Sequence, residues 1–251
     1  DAGAGRESSG VSLRFGERLE VQDVPALTND LTGFSRQPNA LIQVLRGVNL
    51  LRHIHPTIDF GGSQFVVRTT DPTPPSRATT VHLNYIRGGG MVFRTALGAD
   101  ESSAGSLLVD TAMQFPLALD DAGWKKTGIA LTSLTPVPNS SSLKQGVLPH
   151  LVLGAFDIPH VPAVYGAPLE EFEKSLDVNL DGLLGSGLLA AFRVTLADGG
   201  RTMWLEDTSM ADYVAPPPSG GTDVPEGPPG AAPQVSPPTT KPVAPPPSTT
   251  K

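Results

Sequence analysis

The segment LLVDTAMQF, residues 107–115, carries the strongest signal in the sequence. Three apolar residues lead directly into Asp110 and Thr111, and an apolar run resumes at Phe115. An aspartate rarely ends an apolar strand unless its carboxylate is paired or has a chemical function, because burying an unpaired charge is costly. The segment therefore predicts a buried strand that delivers Asp110 to a loop.

The residues around this segment predict a mainly β structure. Short runs of Val, Thr, Leu and Phe alternate with polar residues and are broken by glycines and prolines, as is typical of strands and turns. Residues 79–87 and 91–97 flank three glycines and predict a β-hairpin, because glycine accepts the positive φ of a tight turn. A strand is expected at residues 106–110, and short helices are expected at residues 169–176 and 188–192.

The sequence also contains an internal repeat. Residues 45–68 align without gaps to residues 183–206, at an offset of 138 residues. The identical residues of the first copy are Leu45, Gly47, Leu50, Leu51, Thr57, Gly61 and Gly62. Each copy predicts an apolar strand that ends at a glycine, a helical turn with two leucines, and a hairpin over Gly-Gly. Residues 24–26 and 161–163, both Val-Pro-Ala, extend the correspondence upstream.

The repeat predicts how the chain is divided. We interpret residues 1–69 as the rear half of a first lobe and residues 79–210 as a complete second lobe, because only the second copy is preceded by the predicted hairpin and the Asp110 strand. The Pro-rich residues 70–78 are the expected linker. Residues 211–251 hold half of the 26 prolines and are expected to form a disordered tail, because their composition buries too little apolar surface.

Composition excludes several classes of protein. The chain has 18 Lys and Arg against 25 Asp and Glu, a net charge of −7, so nucleic acid is not an expected partner. The absence of Cys excludes disulfides and thiolate chemistry. No apolar run approaches the ~20 residues of a membrane-spanning helix. Because the chain opens at Asp1, we expect a processed form or a fragment, and its Pro-rich spacer favours a bacterial envelope or secreted protein.

Together these motifs resemble the retropepsin-like (pepsin-like) aspartic proteases, in their bacterial form. That family has an apolar-apolar-Asp-Thr/Ser-Gly loop and, later in each lobe, an apolar-apolar-Gly motif before a short helix. Residues 183–189, LLGSGLL, match the second motif, and residues 192–206 are similar to the closing strands of bacterial members. Residues 45–51 are similar again, so the resemblance covers most of residues 11–207. It implies an all-β fold of β-barrel lobes with short helices.

The resemblance also implies a chemistry, the hydrolysis of peptide or protein substrates without a cofactor or metal. In this family two Asp, one from each lobe, hold a water and share one proton, because two like charges at that range cannot both ionise. The ionised Asp takes a proton from the water, and the protonated Asp donates to the peptide carbonyl oxygen. The resemblance makes Asp110 one member of the pair, while Thr111 braces the loop across the lobe interface.

The sequence departs from the family at three points. Ala112 stands where the family usually has glycine, and Arg46 replaces an apolar residue in the first copy. A second catalytic Asp is not evident, because Asp1 lacks a leading apolar strand and is interpreted as linker. The partner Asp is therefore expected either from a missing N-terminal part of the first lobe or from a second subunit in a homodimer.

Two alternatives to an enzyme remain open from the sequence. The first is a catalytically inactive retropepsin-fold module for binding or structure, in which Asp110 has a structural role. The second is a calcium-dependent module, because residues 177–182, DVNLDG, match the opening of a calcium loop, although Leu188 stands where a bidentate carboxylate is needed. His53 and His55 would share one face of a strand as a metal pair, but no third histidine has ligand spacing.

Overall fold

The computed structural model describes residues 6–31, 42–86, 88–98, 103–138 and 140–207, which belong to one compact unit. Its strands are β1 (Arg6–Phe15), β2 (Leu19–Thr28), β3 (Thr57–Asp59), β4 (Gln64–Val66), β5 (Ala78–His82), β6 (Asn84–Ile86), β7 (Gly90–Ala96), β8 (Ala104–Asp110), β9 (Leu117–Leu119), β10 (Thr135–Pro136), β11 (Lys144–Leu153), β12 (Phe156–Tyr165), β13 (Gly182–Gly185), β14 (Phe192–Ala197) and β15 (Thr202–Asp207). The predicted disordered tail, residues 211–251, and the predicted linker residue Asp1 lie outside the described residues.

The helices are few and short. They are α1 (Val48–Leu51), α2 (Asp121–Thr127), α3 (Leu169–Leu176) and α4 (Ser186–Leu189), with 3-10 turns at Leu131–Ser133 and Asp198–Gly200. The predicted all-β fold with short helices is therefore confirmed. Among the described residues, no helix has both the length and the apolar character needed to cross a membrane.

An eight-stranded sheet places the Asp110 strand near its centre. The strand order is β10-β11-β12-β9-β13-β8-β7-β6, so β13 runs between β9 and β8. β13 is parallel to β8 and antiparallel to β9. All four residues of β13 are buried, which is why this strand reads as an unbroken apolar run and not as an alternating one.

A second sheet joins the two halves of the chain. It has five strands in the order β4-β3-β14-β15-β5, all of its neighbouring pairs antiparallel. β3 and β4 come from the first copy of the repeat, whereas β14 and β15 come from the second. Residues 67–77, which include most of the predicted linker, form neither strand nor helix. The lobe boundaries remain a prediction.

Three local expectations were wrong in detail. Residues 79–87 do not form one strand, because β5 ends at His82 and pairs with β15, whereas β6 starts at Asn84 and pairs with β7 in the other sheet. The hairpin over the glycines is β6–β7 alone. The helix expected at residues 188–192 is α4, which starts at Ser186 and ends at Leu189 because Phe192 already opens β14. The helix expected at residues 169–176 is confirmed as α3.

The two copies contain the same elements with one exception, at an offset of 138 residues that becomes 137 between β2 and β12. Helix α1 corresponds to α4, and the β3–β4 hairpin corresponds to β14–β15. Upstream, the hairpin β1–β2 corresponds to β11–β12, and each turn has a glycine with positive φ, Gly16 and Gly154. The exception is residues 44–47, which form no strand although their counterparts, residues 182–185, form β13.

A local two-fold axis relates the copies in the five-stranded sheet. Thr57 pairs with its own counterpart Thr195, and the two hydroxyl oxygens are 2.7 Å apart. The flanking bonds are symmetric as well, because Ile58 pairs with Val194 and Leu196 donates its N–H to Pro56 (2.9 Å). The axis therefore passes between the two threonines. It relates the start of α1 to the start of α4.

Candidate active site

Asp110 is the last residue of β8, where the strand leaves the eight-stranded sheet. In the parallel pair β8–β13 it stands opposite Gly185. Leu107 and Leu108 before it are buried, whereas Asp110 itself is half-buried. Its Oδ1 accepts a hydrogen bond from the Ala112 N–H at 2.9 Å. This turn holds the carboxylate at the end of a strand whose two leucines are buried.

The loop after Asp110 is fastened to the start of α4 by three hydrogen bonds. Ser186 donates both its N–H (2.8 Å) and its hydroxyl (2.7 Å) to the Met113 carbonyl. Gly185 donates its N–H to the Pro116 carbonyl at 3.0 Å. The two sequence motifs, 107–115 and 183–189, are therefore in direct contact and hold the Asp110 loop in one position.

This contact explains the glycines of the second motif. A Cβ added to Gly185 would lie 2.0 Å from the Phe115 carbonyl oxygen, and one added to Gly187 would lie 2.3 Å from that of Gln114. Both neighbours are backbone atoms, which cannot turn away as a flexible side chain can. The close approach of the loop thus requires residues without a side chain at both positions.

Thr111 and Ala112 are both exposed. Ala112 is not among the residues with positive φ, so the backbone at this position does not require the glycine that the family usually has. Within the described part of the chain, the Thr111 hydroxyl has no hydrogen-bond partner. The bracing role of Thr111 and the catalytic role of Asp110 remain predictions.

Asp110 differs from Asp59 and Asp181, which are both engaged in ion pairs. Asp59 accepts two hydrogen bonds from Arg193, and Asp181 lies 2.6 Å from Lys126 Nζ. Among residues 6–31, 42–86, 88–98, 103–138 and 140–207, Asp110 forms neither an ion pair nor a hydrogen bond with a second carboxylate.

Asp59 and Arg193 form an ion pair across the shared sheet, which the sequence did not reveal. Asp59 is buried, and its Oδ2 accepts from Arg193 Nε (3.1 Å) and Nη2 (2.9 Å). Burial acts to raise the pKa of Asp59, but the Gly62 N–H and the Arg193 guanidinium favour the charged form and hold that pKa below its ordinary value. The pair joins the first copy to the second.

The predicted calcium loop has a different role. Asp181 accepts the Ser106 N–H at 2.7 Å with one oxygen and contacts Lys126 with the other, so it fastens β8 to the residue before β13. Asp177 is the left-handed residue that ends α3. In the described part of the chain, no three His, Asp or Glu side chains are grouped as metal ligands.

The histidine pair does not form a metal site either. His55 Nδ1 lies 2.8 Å from Asp71, and His53 Nε2 accepts from the Arg52 side chain at 3.2 Å. His55 has a positive φ of 41°, so the segment is not the extended strand that would place both rings on one face.

Asp120 is the N-cap of α2, a helix that was not predicted from the sequence. Its side chain accepts the Gly123 N–H at 2.7 Å, as an N-cap does. Burial raises the pKa of Asp120, and the nearby carboxylates of Asp181, Glu173 and Asp121 raise it further, against the Gly123 hydrogen bond. The helix signal was present, because Asp precedes Lys125, Lys126 and the left-handed Gly128.

Comparison with known proteins finds a structural neighbour only at low similarity. No family model matches the chain, and no curated protein matches it. Among solved structures, the chain is similar to a retropepsin-like aspartic protease from Rickettsia conorii, with 19% identity and a TM-score of 0.37. The match covers 51% of this chain and 89% of the other.

Proposed function

We propose that this chain supplies one half of an aspartic endopeptidase site, with Asp110 as its catalytic carboxylate and the second Asp coming from outside residues 1–251. The proposal rests on the position of Asp110 and on its lack of an ion-pair partner in the described part of the chain. Asp110 ends an interior strand of the eight-stranded sheet, and Gly185 and Ser186 hold the loop that follows it. A structural carboxylate at the end of an apolar strand would be expected to have such a partner.

The proposed chemistry is hydrolysis of a peptide bond by an activated water. With one proton shared between two carboxylates, the ionised one takes a proton from the water as its oxygen attacks the carbonyl carbon. The protonated carboxyl donates its proton to the carbonyl oxygen, giving a tetrahedral diol. Collapse of the diol breaks the C–N bond, and the leaving amine takes up the proton. Water is consumed, and a carboxylic acid and an amine are formed.

A lone carboxylate cannot be base and acid in one step, so the isolated chain is expected to be inactive. Activity is expected when the second Asp is supplied, with a bell-shaped dependence on pH in the acidic range. Asp110→Asn keeps the size of the side chain and removes its charge, so it should abolish hydrolysis and leave the fold intact. The matched control is Asp157→Asn, an exposed aspartate on β12 that pairs with His150.

The measurement is kcat/KM for a peptide substrate at acidic to neutral pH. Equal loss in both variants, or full activity in Asp110→Asn, would show that Asp110 is not catalytic.

A second candidate function is a retropepsin-fold module for binding that has no activity. The exposure of Thr111 and Ala112 favours it, because neither side chain is fixed against a neighbouring lobe. The two functions differ in one outcome. A binding module with the second Asp supplied would bind peptides and show no hydrolysis, and Asp110→Asn would leave its affinity unchanged.

A further inference from the structure

A cleft lies where the end of α1, strand β6 and the turn between β14 and β15 meet, and it shares no residue with the Asp110 loop. Its volume is about 490 Å³, which is within the usual range of ligand pockets. Leu83 donates its N–H to the Arg201 carbonyl at 2.7 Å, which ties two walls of the cleft together. The residues that line the cleft are Arg52, Leu83, Asn84, Tyr85, Gly199 and Arg201.

The Arg52 side chain is held in a defined position in this cleft. Its guanidinium lies over the Tyr85 ring, 4.3 Å from the centroid, and the Tyr85 hydroxyl donates to Asn49 Oδ1. Arg52 Nε donates to His53 Nε2 at 3.2 Å. The stem of Arg52 packs against the turn, because a Cβ added to Gly200 would lie 3.1 Å from Arg52 Cβ. These contacts use the face and the Nε of the guanidinium, so its two Nη groups have no acceptor in the described part of the chain.

Arg52 is half-buried, yet it takes part in none of the ion pairs that the described residues form. A cation that is partly removed from water without a counterion is unfavourable. The fold of the repeat does not require an arginine here, because the counterpart of Arg52 in the second copy is Ala190, and both residues are helix C-caps. The unpaired guanidinium therefore points to an anionic ligand.

The charges that face the cleft favour a single carboxylate as this ligand. Arg201 is already neutralised, because its Nε and Nη2 donate to the two carboxylate oxygens of Asp198 at 3.2 and 2.7 Å. Arg52 therefore supplies one uncompensated positive charge, and the Nη1–Nη2 edge of a guanidinium matches the two oxygens of a carboxylate. A phosphate dianion would bring a second negative charge next to Asp198, whereas a carboxylate brings only the one that Arg52 can neutralise.

Strand β6 offers main-chain hydrogen bonds beside Arg52. It is the last strand of the eight-stranded sheet, and among the strands of the described residues it pairs with β7 alone. The second edge of such a strand presents N–H and C=O groups to which an extended peptide can add. Asn84 and Tyr85 lie on β6 and also line the cleft. A peptide that adds to this edge would therefore bring a carboxylate into the cleft.

We propose that this cleft binds an extended peptide along the free edge of β6 and holds a carboxylate of that peptide at the Nη groups of Arg52. The carboxylate belongs either to an Asp or Glu side chain or to the C-terminus of the peptide, since both present the same two oxygens. The proposal does not rest on the proposed function, because no residue of the Asp110 loop lines the cleft.

The probes are three fluorescein-labelled peptides that differ only in their carboxylate. The first is Val-Thr-Glu-Thr-Val with an amidated C-terminus, the second has Gln in place of Glu, and the third has Gln and a free C-terminus. Fluorescence anisotropy measures their affinity for the full chain at neutral pH. We expect saturable binding of the first or the third peptide, which identifies the source of the carboxylate, and binding at least about tenfold weaker for the second.

Variants of the two cleft arginines' surroundings test the site in both directions. Arg52→Gln should reduce the affinity for the carboxylate peptide to that of the uncharged peptide, and Arg52→Lys should also weaken it, because an ammonium cannot offer two parallel donors. Asp198→Asn releases Arg201 and should tighten binding roughly two- to fivefold; asparagine tolerates the left-handed backbone at this position, where φ is 51°. The control is Arg14→Gln, which removes the same charge from an exposed residue of β1 and should leave the affinity unchanged.

Several results would overturn the proposal. These are equal affinity for all three peptides, no saturable binding, or equal affinity in Arg52→Gln and Arg14→Gln. Weaker binding in Asp198→Asn would also contradict it, because a loss there cannot come from the released Arg201. Competition tests the other ligands: acetate that binds as tightly as the peptide would exclude a contribution from β6, and inorganic phosphate that binds more tightly would contradict the choice of a carboxylate.

Discussion

Gly185→Ala is the change that tests how the Asp110 loop is held. The new methyl would lie 2.0 Å from the Phe115 carbonyl oxygen and 2.8 Å from that of Met113. Gly47→Ala is its matched control, because Gly47 is the repeat counterpart and has no described atom within 4 Å of the same position. Both glycines are extended helix N-caps, with φ of −101° and −73°, so alanine fits the backbone equally well.

The difference between the two variants isolates the steric cost, since the effect of alanine at a helix cap is common to both. Overpacking of a closely packed site costs about 1–3 kcal/mol, and here the blocking atoms are backbone. For a domain of this size that is a fall in Tm of roughly 2–12 °C for Gly185→Ala relative to Gly47→Ala.

Urea unfolding followed by tryptophan fluorescence measures this difference, because Trp124 and Trp204 are both buried. Equal free energies of unfolding for the two variants would refute the packing of residues 110–116 against Gly185. A larger loss in Gly47→Ala would show that the first copy, and not the second, carries the tight contact.

Three further predictions concern charged groups. Asp120→Ala should lose about 1 kcal/mol of stability at neutral pH, because α2 loses its N-cap. Asp120→Asn should be as stable as the unchanged chain or more so, because the raised pKa of Asp120 means that the folded state disfavours the charged carboxylate. Thermal unfolding compares the two variants. Folding lowers the pKa of Asp59, so the ionised carboxylate stabilises the fold above pH 3.8, its ordinary pKa, and this contribution is lost as the pH falls through the lower folded pKa. Asp59→Asn should therefore cost about 1–3 kcal/mol at neutral pH and flatten the acid limb of a urea-unfolding series. Millimolar Ca²⁺ should leave Tm unchanged, because the Ser106 N–H and Lys126 occupy the oxygens of Asp181; a rise in Tm that Asp181→Asn removes would contradict this.

The part of the fold that sequence could predict is the part with local signals. The Asp110 strand and α3 follow from runs of apolar residues and from helical spacing, which act over a few neighbours. The contact between residues 107–115 and Gly185 was implied by the resemblance, because the two motifs that carry it lie side by side in the family although they are far apart in the sequence. Gly185 shows the physical basis of this signal, because the Phe115 backbone approaches so closely that no side chain fits at position 185.

The rest could not be read from the sequence, because it depends on partners far along the chain. Nothing local at Leu83 marks the break between β5 and β6, which arises because β5 pairs with β15 and β6 pairs with β7. Residues 44–47 match β13 in sequence but pair with no strand in the described part of the chain, whereas β13 lies between β8 and β9. The pairing of β3 with β14 and the Asp59–Arg193 ion pair both join residues more than a hundred positions apart, across the two-fold axis.

The most direct measurement of the central claim is a crystal structure of this chain in the active assembly that supplies the second Asp, bound to an acid-protease inhibitor. The claim predicts a second carboxylate within hydrogen-bonding reach of Asp110, at an oxygen–oxygen distance of about 2.5–3.0 Å or bridged by one inhibitor hydroxyl. An Asp110 carboxylate that faces solvent or a Lys or Arg side chain, with no second carboxylate at the inhibitor, would contradict the account.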